Sequence, residues 1–186
     1  MDKNKVIAIY VDMRNSTKID DDKVKWDSYN EFYKLFKSIK TKEGGYKISR
    51  AYPAGDGILL VSKCKLLETK KLNDLFVEVQ DKINLFHKKT NQKVGVGASY
   101  GYSMDIQVES MSGESEVETV GTPLDLAAKG SNNGNKNSDF IWFISNNKSV
   151  KKLPNHENQK LINKLKECEK ISEYKESSSG NFRFNF

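Results

Sequence analysis

Two short stretches constrain this chain more than any other. Residues 6–17 read VIAIYVDMRNST and residues 46–60 read YKISRAYPAGDGILL, and each runs apolar residues into a turn that leaves one carboxylate, Asp12 or Asp56, at a strand's edge. Residues 6–11 are continuously apolar, rich in β-branched side chains and short, the pattern of a strand buried on both faces. In the second stretch Tyr46, Ile48, Arg50 and Tyr52 lead into Pro53-Ala54-Gly55-Asp56-Gly57 and an apolar run at 58–61, which reads as a hairpin with Asp56 at its tip. Either aspartate alone is explained by turn formation. Together, at neighbouring strand ends, they are a donor set for Mg²⁺, which takes oxygen ligands and is commonly held by one or two carboxylates plus substrate phosphates.

The stretches around them supply the rest of a fold. Ser16 and Thr17 can cap a helix or offer donors to an anion. Trp26, Tyr29, Phe32 or Tyr33, Phe36 and Ile39 then recur at helical spacing until Gly44-Gly45. Leu72, Leu75, Phe76, Val79, Ile83 and Phe86 mark a second amphipathic helix ended by His87, where a histidine ordinarily meets the C-terminal dipole. Residues 93–102 alternate Val94, Val96 and Ala98 with Gly95, Gly97, Ser99 and Gly101, a strand with one nearly bare face that permits close approach of a backbone, a helix or a ligand. Residues 105–118 read as a polar hairpin or loop, and Leu124, Ala127 and Ala128 as a short helix. Asp125 and Lys129 stand one turn apart on it, and their plain reading is a surface ion pair. SNNGNKNSD is a loop, residues 140–144 a strand, and Leu161, Ile162, Leu165 and Cys168 mark a further helix. Tyr174-Lys175 and the alternating Phe182, Phe184 and Phe186 read as a closing hairpin.

No repeat, Pro/Ser linker or long charge block divides the 186 residues, which suit a single domain over 1–186. The net charge of +6 comes from lysine spread along the chain, a solvated surface rather than a nucleic-acid patch, though one that attracts a polyanionic small ligand. Cys64 and Cys168 are far apart, with no CxxC or Cys/His spacing, so neither a zinc motif nor a disulfide framework is offered. No apolar run reaches the ~20 residues needed to span a bilayer, and MDKNK leads into a strand rather than a signal peptide. The expectation is a cytoplasmic protein with no nucleic-acid and no membrane partner. The element order β-α-β-β-α-β, then short helix, strand, helix and hairpin, predicts an α+β fold with a ferredoxin-like βαββαβ core, a C-terminal helix and a β-hairpin. Such a sheet puts Asp12 beside Asp56.

The succession VIAIYVDMRNST, GGYKISRAYPAGDGILL, VGVGASYG and ETVGTPLDLAAKGSN, across residues 6–132, resembles the ordered motifs of class III nucleotidyl cyclases, the adenylate and guanylate cyclase superfamily. The tail hairpin resembles the one that closes that catalytic domain. The resemblance implies that Asp12 and Asp56, with the backbone carbonyl of Met13, hold two divalent ions, Mn²⁺ or Mg²⁺, and that Arg14, Asn15, Ser16 and Thr17 hold the triphosphate.

The chain departs from the purine-cyclase pattern at the base and at the ribose. Tyr52 stands where a Lys or Glu is common, Glu118 where an Asp or Cys is, and Asp125 and Lys129 where a ribose-orienting Asn and a transition-state Arg usually are. Lys129 keeps the point charge of an arginine without its fork. In this the chain is most similar to the Pycsar pyrimidine cyclases of bacterial anti-phage defence. That implies conversion of UTP or CTP to 3′,5′-cyclic UMP or cyclic CMP plus pyrophosphate. A tyrosine at 52 would fill the space that a one-ring base leaves, although it also reads as an ordinary strand aromatic. The resemblance further implies a homodimer with shared sites, each taking Asp12 and Asp56 from one protomer and Tyr52, Glu118, Asp125 and Lys129 from the other, and a separate effector that reads the cyclic product. The alternatives are an adenylate or guanylate cyclase with an altered pocket, and a non-catalytic ferredoxin-like module binding nucleotide or RNA. The last wants exposed aromatics on central strands, which residues 94–101 lack before Tyr100.

Overall fold

The computed structural model describes residues 3–39, 46–109, 115–132, 142–145, 156–168, 173–176 and 181–185. In chain order the elements are β1 (Lys3–Met13), α1 (Asp22–Lys37), β2 (Ile48–Ala54), β3 (Gly57–Lys63), α2 (Thr69–Thr90), β4 (Val94–Glu109), β5 (Ser115–Val120), α3 (Thr122–Asn132), β6 (Trp142–Ser145), α4 (His156–Lys166), β7 (Glu173–Glu176) and β8 (Asn181–Asn185). They build a sheet ordered β2-β3-β1-β4-β6-β8-β7, with β5 beside β4. β4 and β6 run parallel, and the other neighbours antiparallel. This is the α+β fold expected from the element order, with α4 and the closing β7–β8 hairpin in place. β2 lies at the sheet's edge, where Pro53 needs no ladder donor.

One face of the sheet carries the core. Ile7, Ile9, Val11 and Met13 of β1 join Ile58 and Leu60 of β3 and Val94, Val96 and Ala98 of β4 under α1, α2 and α4. Phe32 of α1 meets Phe86 of α2 edge to face, their ring centroids 5.3 Å apart. The apolar stripes have the spacing that the sequence shows, with two corrections. Trp26 is 67% exposed, because at 3.6 residues per turn it lies about 120° around α1 from Phe32, and Leu35 takes the inward place instead. α2 runs past His87 to Thr90, where Asn91 adopts a left-handed conformation and donates its N–H to the His87 carbonyl at 2.8 Å. The cap of α1 is Asp21, whose side chain accepts the Val24 N–H at 2.9 Å, while Ser16 and Thr17 fall in a separate 3-10 turn, Ser16–Lys18.

The opposite face is covered by α3. Its buried residues Pro123, Ala127, Gly130 and Ser131 pack on the bare side of β4, where a Cβ at Gly97 would strike the α3 backbone and one at Gly101 would lie 3.0 Å from the Pro123 ring. A helix is therefore what the glycine alternation admits. The expected hairpin after residue 105 is the β4–β5 pair. Gly44-Gly45, Phe140, Phe186 and most of the SNNGNKNSD stretch lie outside the described residues.

Candidate active site

The tip of the β2–β3 hairpin is fastened to the end of β1. Asp12 pairs with Gly57 on one side and with Gly95 on the other. The Met13 N–H donates to the Asp56 carbonyl at 3.0 Å. Gly55 takes φ +63, the left-handed conformation that lets so tight a turn close. Two tyrosines hold its backbone: Tyr33 of α1 donates to the Gly55 carbonyl, and Tyr10 of β1 to the Ala54 carbonyl at 3.1 Å.

This brings Asp12 and Asp56 together, with their carboxyl groups in hydrogen-bonding reach of one another. Ser16 donates its hydroxyl to Asp56 Oδ2. Burial first, and then the charge and hydrogen bond of Asp56, push the Asp12 carboxyl up to about 7, against a smaller opposing effect of Arg14. A half-buried pair of carboxylates short of positive charge, with a hydroxyl beside it, is a hard-oxygen donor set that fits Mg²⁺ or Mn²⁺. Among the described residues no three His, Cys, Asp or Glu side chains gather into a closed cage.

Of residues 14–17, Arg14 and Ser16 are engaged through their side chains. Arg14 donates its peptide N–H to the Lys93 carbonyl at 2.7 Å, and its guanidinium donates to the Ser131 carbonyl in the last turn of α3 while lying against Gly95. Asn15, at φ 56, turns the chain into the 3-10 turn, which buries Ser16 and leaves Thr17 exposed. The Arg14 contact has no local sequence signal. Only the missing side chain at Gly95, on the neighbouring strand and far along the chain, marks the space it fills.

Tyr52 and Glu118 meet through the backbone. The Tyr52 hydroxyl accepts the Thr119 N–H at 2.9 Å, which sets β5, with Glu118 exposed on it, beside β2. Four residues to which the motif resemblance gives no role organise this contact: Arg50, Lys63, Asp105 and Thr119. Arg50 donates to the Val117 carbonyl, and Asp105 accepts the Thr119 hydroxyl at 2.8 Å and Lys63 Nζ at 2.7 Å, with Arg50 Nη2 at 3.8 Å. Lys63 and Thr119 first, with Arg50 adding a smaller pull, hold the Asp105 carboxyl below its ordinary range. Asp125 and Lys129 are exposed on the side of α3 turned away from the sheet, and no ion pair joins them. One chain therefore gathers Asp12, Asp56, Arg14 and Ser16 in one place and Tyr52 with Glu118 in another, and presents Asp125 and Lys129 outward.

No protein-family model matches the sequence, and no curated protein matches it. Solved structures do. The guanylyl cyclase Cya2 superposes with a TM-score of 0.63 at 13% identity, over 98% of this chain and 91% of that one. The guanylate cyclase domain of RhGC from Catenaria anguillulae, in complex with GTP, gives 0.56 at 14% identity over 100% and 98%. The catalytic core of a rhodopsin-guanylyl cyclase with converted specificity, in complex with ATPαS, gives 0.55 at 14% identity over 98% and 96%. Likeness at this identity establishes the fold, which is that of guanylyl cyclase catalytic domains.

Proposed function

We propose that this protein is a nucleotide cyclase that converts UTP or CTP into 3′,5′-cyclic UMP or cyclic CMP and pyrophosphate. The observation that carries the reading is the apposition of Asp12 and Asp56 at one strand end, on a fold shared with guanylyl cyclase catalytic domains. In the reaction the ribose 3′-oxygen gives up its proton and bonds to the α-phosphorus, while the bond from that phosphorus to the pyrophosphate oxygen breaks. Asp12, Asp56 and the Met13 carbonyl are the residues that would hold two divalent ions, Mg²⁺ or Mn²⁺, which when bound supply positive charge to the attacking and leaving oxygens.

The chain's own groups do the rest. Ser16 fixes the Asp56 carboxylate, and residues 14–17 turn at the strand end where a triphosphate arrives. Lys129 brings a fixed positive charge to the transition state, an effect worth ~10²–10³ in rate for a well-placed donor. Asp125 accepts a ribose hydroxyl. Tyr52 narrows the base site to a single ring, with Glu118 beside it to meet the polar edge. Because α3 turns Asp125 and Lys129 away from its own sheet, they serve the Asp12 and Asp56 of a second copy, in a symmetric homodimer with two shared sites. Carried to the cell, on the motif resemblance alone, the product is a second messenger of anti-phage defence acting on a separate effector.

A purine cyclase is the second reading, favoured by the GTP and ATPαS in two of the similar structures. For the RNA-module reading Tyr100 is only 4% exposed, and Tyr102 is the exposed aromatic that β4 offers. Incubating the protein with each of the four ribonucleoside triphosphates and Mn²⁺ or Mg²⁺, with Asp56→Ala as control, tests all three. The expected product is cyclic UMP or cyclic CMP, cut by at least ~10²–10³-fold in the variant, as removal of a group that acts on transition-state charge does. Cyclic AMP or cyclic GMP would keep the mechanism and overturn the role of Tyr52. No product from any triphosphate would overturn the enzyme.

A further inference from the structure

Among the described residues the last pair of β1 with β4 is Lys3 with Met104, and residues 105–109 of β4 pair with β5 as a two-stranded arm. Such ribbons are marginal on their own and twist easily. Residues 115–118 are exposed, and among the described residues β5 has β4 as its one strand neighbour. Side chains from β2 occupy its outer edge instead: the Tyr52 hydroxyl takes the Thr119 N–H, and Arg50 donates to the Val117 carbonyl. The arm is thus folded back over β2 by two contacts that depend on its angle.

Asp105 is the first residue of that arm, and it is bonded to every strand involved. One oxygen accepts the hydroxyl of Thr119, which is 5% exposed, and the other faces Lys63 of β3 and Arg50 of β2. An exposed ion pair by itself contributes little. A carboxylate that also satisfies a buried hydroxyl, and aims the arginine that holds the arm's edge, has more to lose.

We propose that Asp105 is a positioning residue for base selection, which holds β5 against β2 so that Glu118 stands beside Tyr52. The proposal rests on the reading of Tyr52 and Glu118 as the base-contacting residues. It separates two jobs that the fold keeps apart: Asp12 and Asp56 serve the phosphoryl transfer, and the root of the arm sets which base fits.

The test takes kcat and KM for each of the four triphosphates, together with the hydrogen-exchange rate of the Thr119 amide, in the full chain and in Asp105→Ala and Asp105→Asn. For Asp105→Ala the expected result is a ~10-fold rise in KM for the preferred pyrimidine with kcat within ~2-fold, and a narrowed preference over ATP and GTP, the signature of lost binding rather than lost chemistry. The Thr119 amide should exchange ~10-fold faster in the same variant, and also in Tyr52→Phe, as local opening becomes easier. Asp105→Asn keeps an acceptor for Thr119 but loses the charge that faces Lys63 and Arg50, so it falls between wild type and alanine on both readouts. It also carries the test alone if the alanine variant does not fold, and wild-type values in it then overturn the proposal. An active wild type whose folded Asp105→Ala variant keeps both its base preference and its Thr119 exchange overturns this proposal alone. A wild type that cyclises no triphosphate overturns the functional reading and takes this proposal with it.

Discussion

A Cβ at position 97 would lie 2.5 Å from the Ser131 nitrogen and 2.9 Å from the Gly130 carbonyl carbon, and would also strike the Ala127 carbonyl. All three are backbone atoms of α3, so no rotamer change relieves the contact and the helix itself must shift. At position 95 the obstructing group is the Arg14 guanidinium, the far end of a flexible side chain. The two substitutions should therefore part company. Gly97→Ala is expected to lower stability by ~1–3 kcal/mol, the usual range for overpacking, seen as a lower urea midpoint at an unchanged slope. Gly95→Ala should cost less in the same denaturation, but it displaces Arg14 from the Ser131 carbonyl and so loses turnover out of proportion to stability. The alternation of Val94, Val96 and Ala98 with Gly95, Gly97 and Gly101 made the bare face legible from residue types alone. It could not say that one glycine answers to a helix backbone and the next to an arginine, because both neighbours are distant in sequence.

Among elements, the β4–β5 arm has the plainest dependence on pH. Asp105 is held below its ordinary range in the folded chain by Thr119, Lys63 and Arg50, which are the groups that face it from β5, β3 and β2. A carboxylate depressed on folding adds stability at pH values above its unfolded pKa, near 4, and loses it as pH falls through the folded value. The arm's closure should hold constant from pH 7 to about 5 and weaken below about 4. In the measurement, the difference in Thr119 amide exchange between wild type and Asp105→Asn shrinks toward zero in acid. A difference that stays constant to the lowest pH would show that the charge of Asp105 does not hold the arm. The reason this network was not visible in the sequence is physical. Period-two and helical spacing report which face of an element is buried, and they placed the core residues of β1, β3 and β4 and the stripes of both long helices. They do not report where a polar residue on one strand finds partners on three others, so residues 105–118 read as a polar hairpin or loop and no more. Trp26 is the opposite case: its spacing falls near the stripe, but its angle around α1 carries it to solvent.

At the scale of the whole molecule, the arrangement of half-sites makes a claim about number. The expectation that Asp12 and Asp56 meet needed only the order of strands, and the register of Asp12 with Gly57 realises it within one chain. Asp125 and Lys129 follow a different logic, because a short helix whose buried side is Pro123, Ala127 and Gly130 must point residues 125 and 129 outward. If the protein works as the proposed homodimer, a protomer carrying Asp56→Ala still offers an intact Lys129 to its partner, and one carrying Lys129→Ala still offers an intact Asp56. Each homodimer of a single variant has no complete site. A heterodimer of the two has one complete site and one doubly damaged site, since an isologous two-fold interface makes the two sites equivalent before mutation. Random mixing of equal amounts during co-expression then gives half heterodimers with one working site of two, so about a quarter of wild-type turnover should return. Two inactive variants that stay inactive together, with mixed dimers verified by differential tagging, would mean that each chain completes its own site. Lys129 would then have to reach the Asp12 of its own chain from the side of α3 opposite the buried Pro123, Ala127 and Gly130.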